Sequence, residues 1–177
     1  MFIVQHGKVV AEWGNTTKRT ELASVRKSLL SALIGIAVAE HQINLDSTMG
    51  QLGIDDNPPV LTEVEKTATV RQLLQARSGI FHLALYESPG MTEARPPRGS
   101  HAPGTFWYYN NWGFNVLGTI YERATGSGVF EALDQKIAKP IGMQVTGHGT
   151  AAICPPFASI GTRGGTAQAR LCLPYDF

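Results

Sequence analysis

A serine and a lysine three residues apart form the first pair in this chain that could do chemistry together. Ser24 and Lys27 open a segment with helical character. Residues i and i+3 of a helix lie on one face, with β-carbons about 5–6 Å apart. A serine hydroxyl is a weak nucleophile until a neighbouring base takes its proton, and a lysine can be that base where burial or nearby positive charge lowers its pKa. The free N–H groups of a helix N-terminus also suit an oxyanion that forms beside the serine.

The same two residues also have a simpler interpretation. Serine is a favoured helix N-cap, and a lysine three residues later is commonly a solvated charge. On Ser24 and Lys27 alone, capping is the simpler prediction. The choice between capping and catalysis depends on residues further along the chain.

The helix that must position this pair covers residues 23–40. No charge occurs from residue 29 to residue 39, and apolar residues fall on every side of a helical wheel. This pattern predicts a helix buried on most of its faces. Ser28, Ser31 and Gly35 share one side, where another element could pack closely. The uncharged run is too short to span a bilayer, which needs about 20 apolar residues.

The other predicted elements are short. His6 and Gly7 separate two β-prone runs, which is typical of a β-hairpin. Thr62 and Glu65 fit a capping box. Helical periodicity predicts three further helices, at 69–76, 111–124 and 130–138, the second of which ends at Gly126. The first two of these helices are separated by a long loop, residues 82–103, of a kind that often serves as a lid or a binding loop.

Composition narrows the possible partners. The 177 residues carry a net charge of +1, with 43% hydrophobic and 16% charged residues, as in a soluble globular protein. No basic run predicts nucleic acid or an anionic membrane as a partner. No metal or nucleotide motif is present, so no cofactor is expected. Cys154 and Cys172 do not make a disulfide framework.

A second motif gives the Ser24–Lys27 pair its meaning. Residues 103–122 contain Pro-Gly, then Tyr109-Asn110-Asn111, then a helix with Leu-Gly. This stretch resembles the second signature of the serine β-lactamase and penicillin-binding-protein family, and is most similar to its class C-like serine hydrolases. That group includes carboxylesterases, D-amino-acid peptidases and small-amide hydrolases. Four further stretches are similar to the family in order and spacing, namely 24–28, 43–46, 69–80 and 139–143. The resemblance therefore runs from about residue 2 to residue 146.

The resemblance implies a fold and a set of roles. The fold would be α+β, of the β-lactamase/transpeptidase type. Ser24 would be the acylated nucleophile, and Lys27 would hold or accept its proton. Tyr109 would act as a general base or proton relay towards the leaving group, and Asn111 would hydrogen-bond substrate and Lys27. The substrate would be a small ester, amide or β-lactam, with no metal and no cofactor.

Part of the family pattern is missing from this chain. The family carries a third motif, Lys-Thr-Gly or His-x-Gly, on a C-terminal strand, and Arg163-Gly164-Gly165 is only a chance match to it. We therefore expect a partial hydrolase domain at 1–146 and an atypical, irregular tail at 147–177. The helical lobe and N-terminal hairpin would be present and the C-terminal strands missing. A weakly anchored hairpin with exposed strand edges predicts a homo-oligomer.

Two functions from different classes follow. The first is a serine hydrolase that works through an acyl-enzyme on an ester or amide. The alternative is an inactive or acylation-only truncated fragment that acts as a binding or structural module, with Ser24 merely capping its helix. The first residues lack the basic-then-apolar order of a signal peptide. The chain as written is therefore expected in the cytoplasm, although members of the family it resembles are often exported.

Overall fold

The chain combines a group of helices with two small sheets. This computed structural model describes residues 1–16, 23–56, 59–84, 87–143 and 167–168. The strands are β1 (Phe2–Gln5), β2 (Lys8–Glu12), β3 (Ile54–Asp55) and β4 (Ala167–Gln168). The α-helices are α1 (Arg26–Ala39), α2 (Val70–Leu74), α3 (Pro89–Glu93), α4 (Asn111–Thr125) and α5 (Val129–Leu133). This arrangement confirms the predicted α+β class.

The predicted hairpin is confirmed. β1 and β2 pair antiparallel, and the turn between them consists of His6 and Gly7. Both turn residues have positive φ angles, 49° and 73°, as a two-residue type I′ turn requires. The second sheet is a parallel pair of β3 and β4, with Ile54 opposite Ala167. Apart from β4, the predicted tail at 147–177 lies outside the described residues.

The hairpin exposes apolar side chains on both of its faces. Five of these side chains are large and lie in solvent: Ile3, Val4, Val9, Val10 and Trp13. The main apolar cluster of the described residues includes no hairpin residue. A lone two-stranded hairpin has marginal stability in water. The weak anchoring predicted for the hairpin therefore agrees with the described part of the chain, while the predicted homo-oligomer remains a prediction.

The core lies between four helices. α4 packs against α1, α2 and α5, and α1 also packs against α5. The buried residues of α4 include five large apolar or aromatic side chains, namely Trp112, Val116, Leu117, Ile120 and Tyr121. None of the described helices is long and apolar enough to cross a membrane. α4 is thus the central element of the core, and it begins at Asn111, one of the predicted site residues.

The prediction that α1 is buried on most faces is wrong for the described residues. One face is buried, through Leu30, Leu33, Ile34 and Ala37. The opposite face is exposed, and its residues are small: Ser28, Ser31, Ala32 and Gly35. Among the described residues, no atom outside the helix's own backbone lies within 4 Å of the position that a β-carbon would take at Gly35. An uncharged run of small residues has the same hydropathy whether a neighbour covers it or not, so the sequence alone could not distinguish the two cases.

Local signals set the helix ends, and those at Gly126 and at the Thr62–Glu65 box are as predicted, whereas the cap at Asn110 was not predicted. Asn110 caps α4 by accepting a hydrogen bond from the Gly113 N–H at 2.9 Å. Gly126 ends α4 in the left-handed conformation, with φ 71°. Thr62 and Glu65 form the reciprocal capping box. The predicted helix at 130–138 begins as α5 and continues as one π-helical segment, Asp134–Ala138.

Gly79 lies where the chain leaves α2 towards the long loop, and it makes a testable close contact. Its φ is 69°, and a β-carbon here would lie 2.8 Å from the His101 carbonyl oxygen and 2.9 Å from the Pro103 nitrogen. Gly79→Ala is therefore expected to lower the free energy of unfolding by about 2–4 kcal/mol, because both the backbone conformation and the space oppose it. Urea unfolding measures this loss. Gly126→Ala is the matched control, since φ is equally positive there but no atom of the described part of the chain lies within 4 Å of the added β-carbon. It should cost only about 1 kcal/mol, and equal losses would contradict the predicted crowding.

Candidate active site

Ser24 lies in a tight turn that leads into α1. The turn is a 3-10 segment, Ala23–Val25, and its first residue has a positive φ of 44°, which is uncommon for alanine. Val25 is the N-cap of α1, and no side chain of the described residues caps that helix end. The Ser24 hydroxyl instead accepts a hydrogen bond from the Lys27 ammonium at 3.0 Å. Ser24 is therefore not the helix cap of the simpler interpretation.

The Lys27 ammonium is where the predicted site residues meet. Its Nζ lies 3.0 Å from Ser24 Oγ and 2.6 Å from Asn111 Oδ1, and it also contacts the Tyr109 hydroxyl oxygen. A lysine ammonium has three N–H donors, so each donor has one of these acceptors. Lys27 and Tyr109 are 82 positions apart in the sequence, yet the fold brings them into contact. All four predicted side chains thus form one connected group.

The Tyr109 side of this group is held by the segment in front of α4. The Tyr108 N–H donates to the Ala76 carbonyl at 2.9 Å, which ties this segment to the end of α2. Asn110 is extended, with φ −135° and ψ 157°. Its side chain is buried, whereas Asn111 and Tyr109 on either side of it reach Lys27.

Phe114 is a site neighbour that sequence reasoning missed. Its ring centroid lies 5.2 Å from Lys27 Nζ and 5.7 Å from the centroid of the Tyr109 ring. An ammonium at this distance from an aromatic face gains a favourable interaction. The available signal was helical spacing, since Phe114 is three residues after Asn111 and lies on the same side of α4.

Comparison with known proteins gives this group its context. A family model described as beta-lactamase matches residues 1–176. The chain belongs to the beta-lactamase family. The resemblance and the fold class that the sequence predicted are both confirmed.

Several beta-lactamase-family proteins are similar to the chain. The esterase EstB of Burkholderia gladioli is 28% identical over 147 aligned positions, and the match covers 71% of this chain and 37% of the esterase. A solved beta-lactamase from Mycobacterium bovis is 30% identical with a TM-score of 0.53, and the match covers 77% of this chain and 40% of that one. A D-stereospecific amidohydrolase from a Streptomyces species is 25% identical with a TM-score of 0.56, and the match covers 71% and 43% of the two chains. The chain therefore spans about two fifths of the length of these relatives.

The two adjacent tyrosines of the family motif differ in environment. The Tyr108 hydroxyl donates to the Met91 carbonyl at 2.8 Å, which joins the motif to α3 in the long loop. Burial raises the pKa of the Tyr108 phenol, and the nearby Glu87 carboxylate raises it further. Tyr108 therefore stays a neutral donor at neutral pH. Tyr109 instead has an ammonium as its partner.

The histidines of the long loop do not join the four site residues. His101 stacks on Phe106, with ring centroids 4.0 Å apart. His82 is buried, and its Nδ1 lies 2.9 Å from a carboxylate oxygen of Asp56. In the part of the chain that the structure describes, no hydrogen bond links either ring to Ser24. Arg163-Gly164-Gly165, the chance match to the third family motif, lies outside the described residues.

Proposed function

We propose that this chain carries the acylating machinery of a serine hydrolase that acts on a small ester or amide. The observation that supports the proposal best is the Lys27 ammonium, which lies within hydrogen-bond reach of Ser24, Tyr109 and Asn111. A nucleophile in contact with a base, which is in turn oriented by further groups, is the general signature of covalent catalysis.

The proposed reaction has two steps. The Ser24 oxygen attacks the acyl carbon, and its proton passes to the coupled Lys27–Tyr109 pair in the state that lacks one proton, with either the lysine amine or the tyrosine phenolate as the base. The bond to the leaving group then breaks, and Tyr109 returns a proton to that group, which leaves an ester on Ser24. Water hydrolyses this ester by the reverse sequence and frees the serine. Asn111 holds Lys27 in place and offers its amide N–H₂ to the substrate.

The substrate class is proposed from the relatives. One is named as an esterase and another as a D-stereospecific amidohydrolase. The site is open on the side of Ser24, which is exposed together with Ser28 and Ser31. A small activated ester is therefore the best first substrate, since it needs little help from the enzyme for its leaving group to depart.

A second candidate is a chain that is acylated but turns over slowly. The exposed small-residue face of α1 favours it, because a face beside the nucleophile that has no neighbour among the described residues offers fewer donors to the oxyanion. Loss of one such donor typically costs about 10²–10³ in rate. Release of p-nitrophenolate from p-nitrophenyl acetate separates the two candidates. One equivalent per chain indicates acylation only, while continued release indicates a hydrolase.

Reaction with an alkyl fluorophosphonate tests the proposed nucleophile. The Ser24 oxygen would bond to phosphorus, fluoride would leave, and the serine proton would pass to the neighbouring base. Intact-mass spectrometry of the folded chain is expected to show one adduct, located on Ser24 by peptide mapping. Ser24→Ala should form none, whereas Ser28→Ala is the matched control in the first turn of α1 and should react normally. No adduct from a folded sample, or an adduct that persists in Ser24→Ala, would overturn the proposal.

A further inference from the structure

A cluster of ionisable side chains, of which His82 and Glu65 are buried and Arg98 is exposed, lies beside the first turn of α4. We call Asp56, Glu65, His82 and Arg98 the charge cluster. His82 is at its centre, with Nδ1 2.9 Å from Asp56 Oδ2 and Nε2 3.5 Å from Glu65 Oε1. Arg98 donates two hydrogen bonds to the Glu65 carboxylate, at 3.0 and 2.7 Å. The side chains of His82 and Glu65 are only 4% and 3% exposed.

The charge cluster is held in one arrangement. Burial alone would raise the pKa of Glu65, but the hydrogen bonds from Arg98 and from the Thr62 N–H, together with the charges of His82 and Arg98, hold it below its ordinary value. Glu65 is therefore a buried carboxylate with its partners in place. Buried ion pairs are often no more stabilising than apolar residues of the same volume. The hydrogen bonds of the charge cluster instead fix the positions of its side chains, and further hydrogen bonds connect the cluster to the candidate active site.

Trp112 connects the charge cluster to the site. Its indole N–H donates to Asp56 Oδ2 at 2.8 Å, and the same oxygen faces His82 Nδ1. Trp112 is only 1% exposed and directly follows Asn111. The rings of His82 and Trp112 also lie against each other, with centroids 5.7 Å apart. The residue after Asn111 is therefore tied to His82 through one carboxylate oxygen.

The residue before Asn111 is tied to the same stretch of chain. The Asn110 amide donates to the Ile80 carbonyl at 2.8 Å, while its oxygen caps α4. Both neighbours of Asn111 are thus attached to residues 80–82, one directly and one through Asp56. Asn111 itself reaches in the other direction, to Lys27 at 2.6 Å.

We propose that Asp56 and His82 are positioning residues, which act through Trp112 to place Asn111 against Lys27. The inference rests on the proposed function for its kinetic consequences, though not for its geometry. An error of about 1 Å in such a contact can cost about 10² in rate. The histidine and aspartate are therefore not two members of a serine–histidine–aspartate triad. They hold the helix that carries a different catalytic group.

The kinetic test uses the full chain and the fluorophosphonate. Asp56→Leu is expected to lower the maximal rate of phosphonylation by about 10–100-fold, while the reagent concentration at half-maximal rate stays the same. Asp56→Asn keeps an oxygen acceptor and should recover most of the rate. Trp112→Phe removes the N–H but keeps an aromatic ring, and it serves as a second variant with the same expected loss. Asp46→Leu is the matched control, because Asp46 is an exposed carboxylate that pairs with Arg71.

A double substitution separates positioning from general destabilisation. If Asp56 acts through Asn111, Asp56→Leu should slow the Asn111→Ala variant no further, because the contact that it maintains has already gone. A merely structural role would slow both backgrounds by the same factor. Equal effects in the two backgrounds, or a wild-type rate in Asp56→Leu, would overturn the proposal.

A measurement that does not depend on reaction at Ser24 tests the positioning role separately from the proposed function. The side-chain amide resonances of Asn111, assigned by their loss in Asn111→Ala, are expected to shift or broaden in Asp56→Leu and to stay unchanged in Asp46→Leu. Failure of the wild-type chain to form an adduct at Ser24 would sink the proposed function alone. Unchanged Asn111 resonances in a folded Asp56→Leu variant would sink the positioning role alone.

Discussion

Lys27→Met is expected to slow phosphonylation of Ser24 by about 10³–10⁴ while leaving the chain folded. Methionine is of similar length and fills similar space, but it has neither charge nor N–H donors. The change therefore removes the contacts to Ser24, Asn111 and Tyr109 in one step. Lys27 is only partly buried, so its packing contributes less than its chemistry. The measurement is the rate of adduct formation by intact mass, alongside a thermal unfolding curve.

Two further variants show which property of Lys27 matters. Lys27→Arg keeps the positive charge, but a guanidinium does not give up its proton in a protein. If Lys27 takes part in proton transfer, Lys27→Arg should be nearly as slow as Lys27→Met. If the charge alone matters, arginine should recover much of the rate. Lys136→Met is the matched control, since Lys136 pairs with Glu40 at 2.6 Å on the surface. A slow Lys136→Met variant would mean that the assay reports on folding instead.

The parts of this fold that local signals encode could be predicted from the sequence. The His6–Gly7 turn needs two positive φ angles, and its glycine is the residue type that favours one of them. Asn110 and Gly126 mark the two ends of α4, because the N-cap and the left-handed C-cap each have strong residue preferences. These signals lie within a few residues of the structure that they specify. Local sequence signals therefore indicate where an element begins or ends, but they do not indicate which other elements pack against it.

The candidate site needed a different kind of information. Ser24 and Lys27 are local partners, but their contact with Tyr109 joins residues 82 positions apart. No periodicity indicates such a contact, and it was predicted only because two motifs together resemble a family. Asp56 and His82 belong to no motif. Asp56 lies in a proline-containing turn and His82 in the long loop, and the sequence gave no indication that their side chains meet. The exposed small-residue face of α1 was not predicted for a similar reason, because hydropathy records how apolar a face is and not what covers it.

Tyr109→Phe is expected to lower the rate of adduct formation at Ser24 by about 10²–10⁴, the usual range for loss of a proton-transfer group. The substitution removes one oxygen and leaves the ring in place beside Phe114 and Lys27. Packing should therefore survive, and thermal unfolding should change little. The effect should be larger for an ester with a poor leaving group than for one with a good leaving group, because the relay to the leaving group matters most where that group needs a proton.

The adjacent tyrosine provides a control matched in residue type and in position. Tyr108→Phe also removes a single phenolic oxygen, but that hydroxyl donates to the Met91 carbonyl in the long loop and does not contact Lys27 among the described hydrogen bonds. It should loosen the attachment of α3, which limited proteolysis of the loop would detect, and change the rate at Ser24 by no more than a few-fold. The two variants thus separate a hydroxyl that moves a proton from one that holds a loop. Equal losses of rate in Tyr108→Phe and Tyr109→Phe would show that the segment acts only as a scaffold, and would remove Tyr109 from the proposed mechanism.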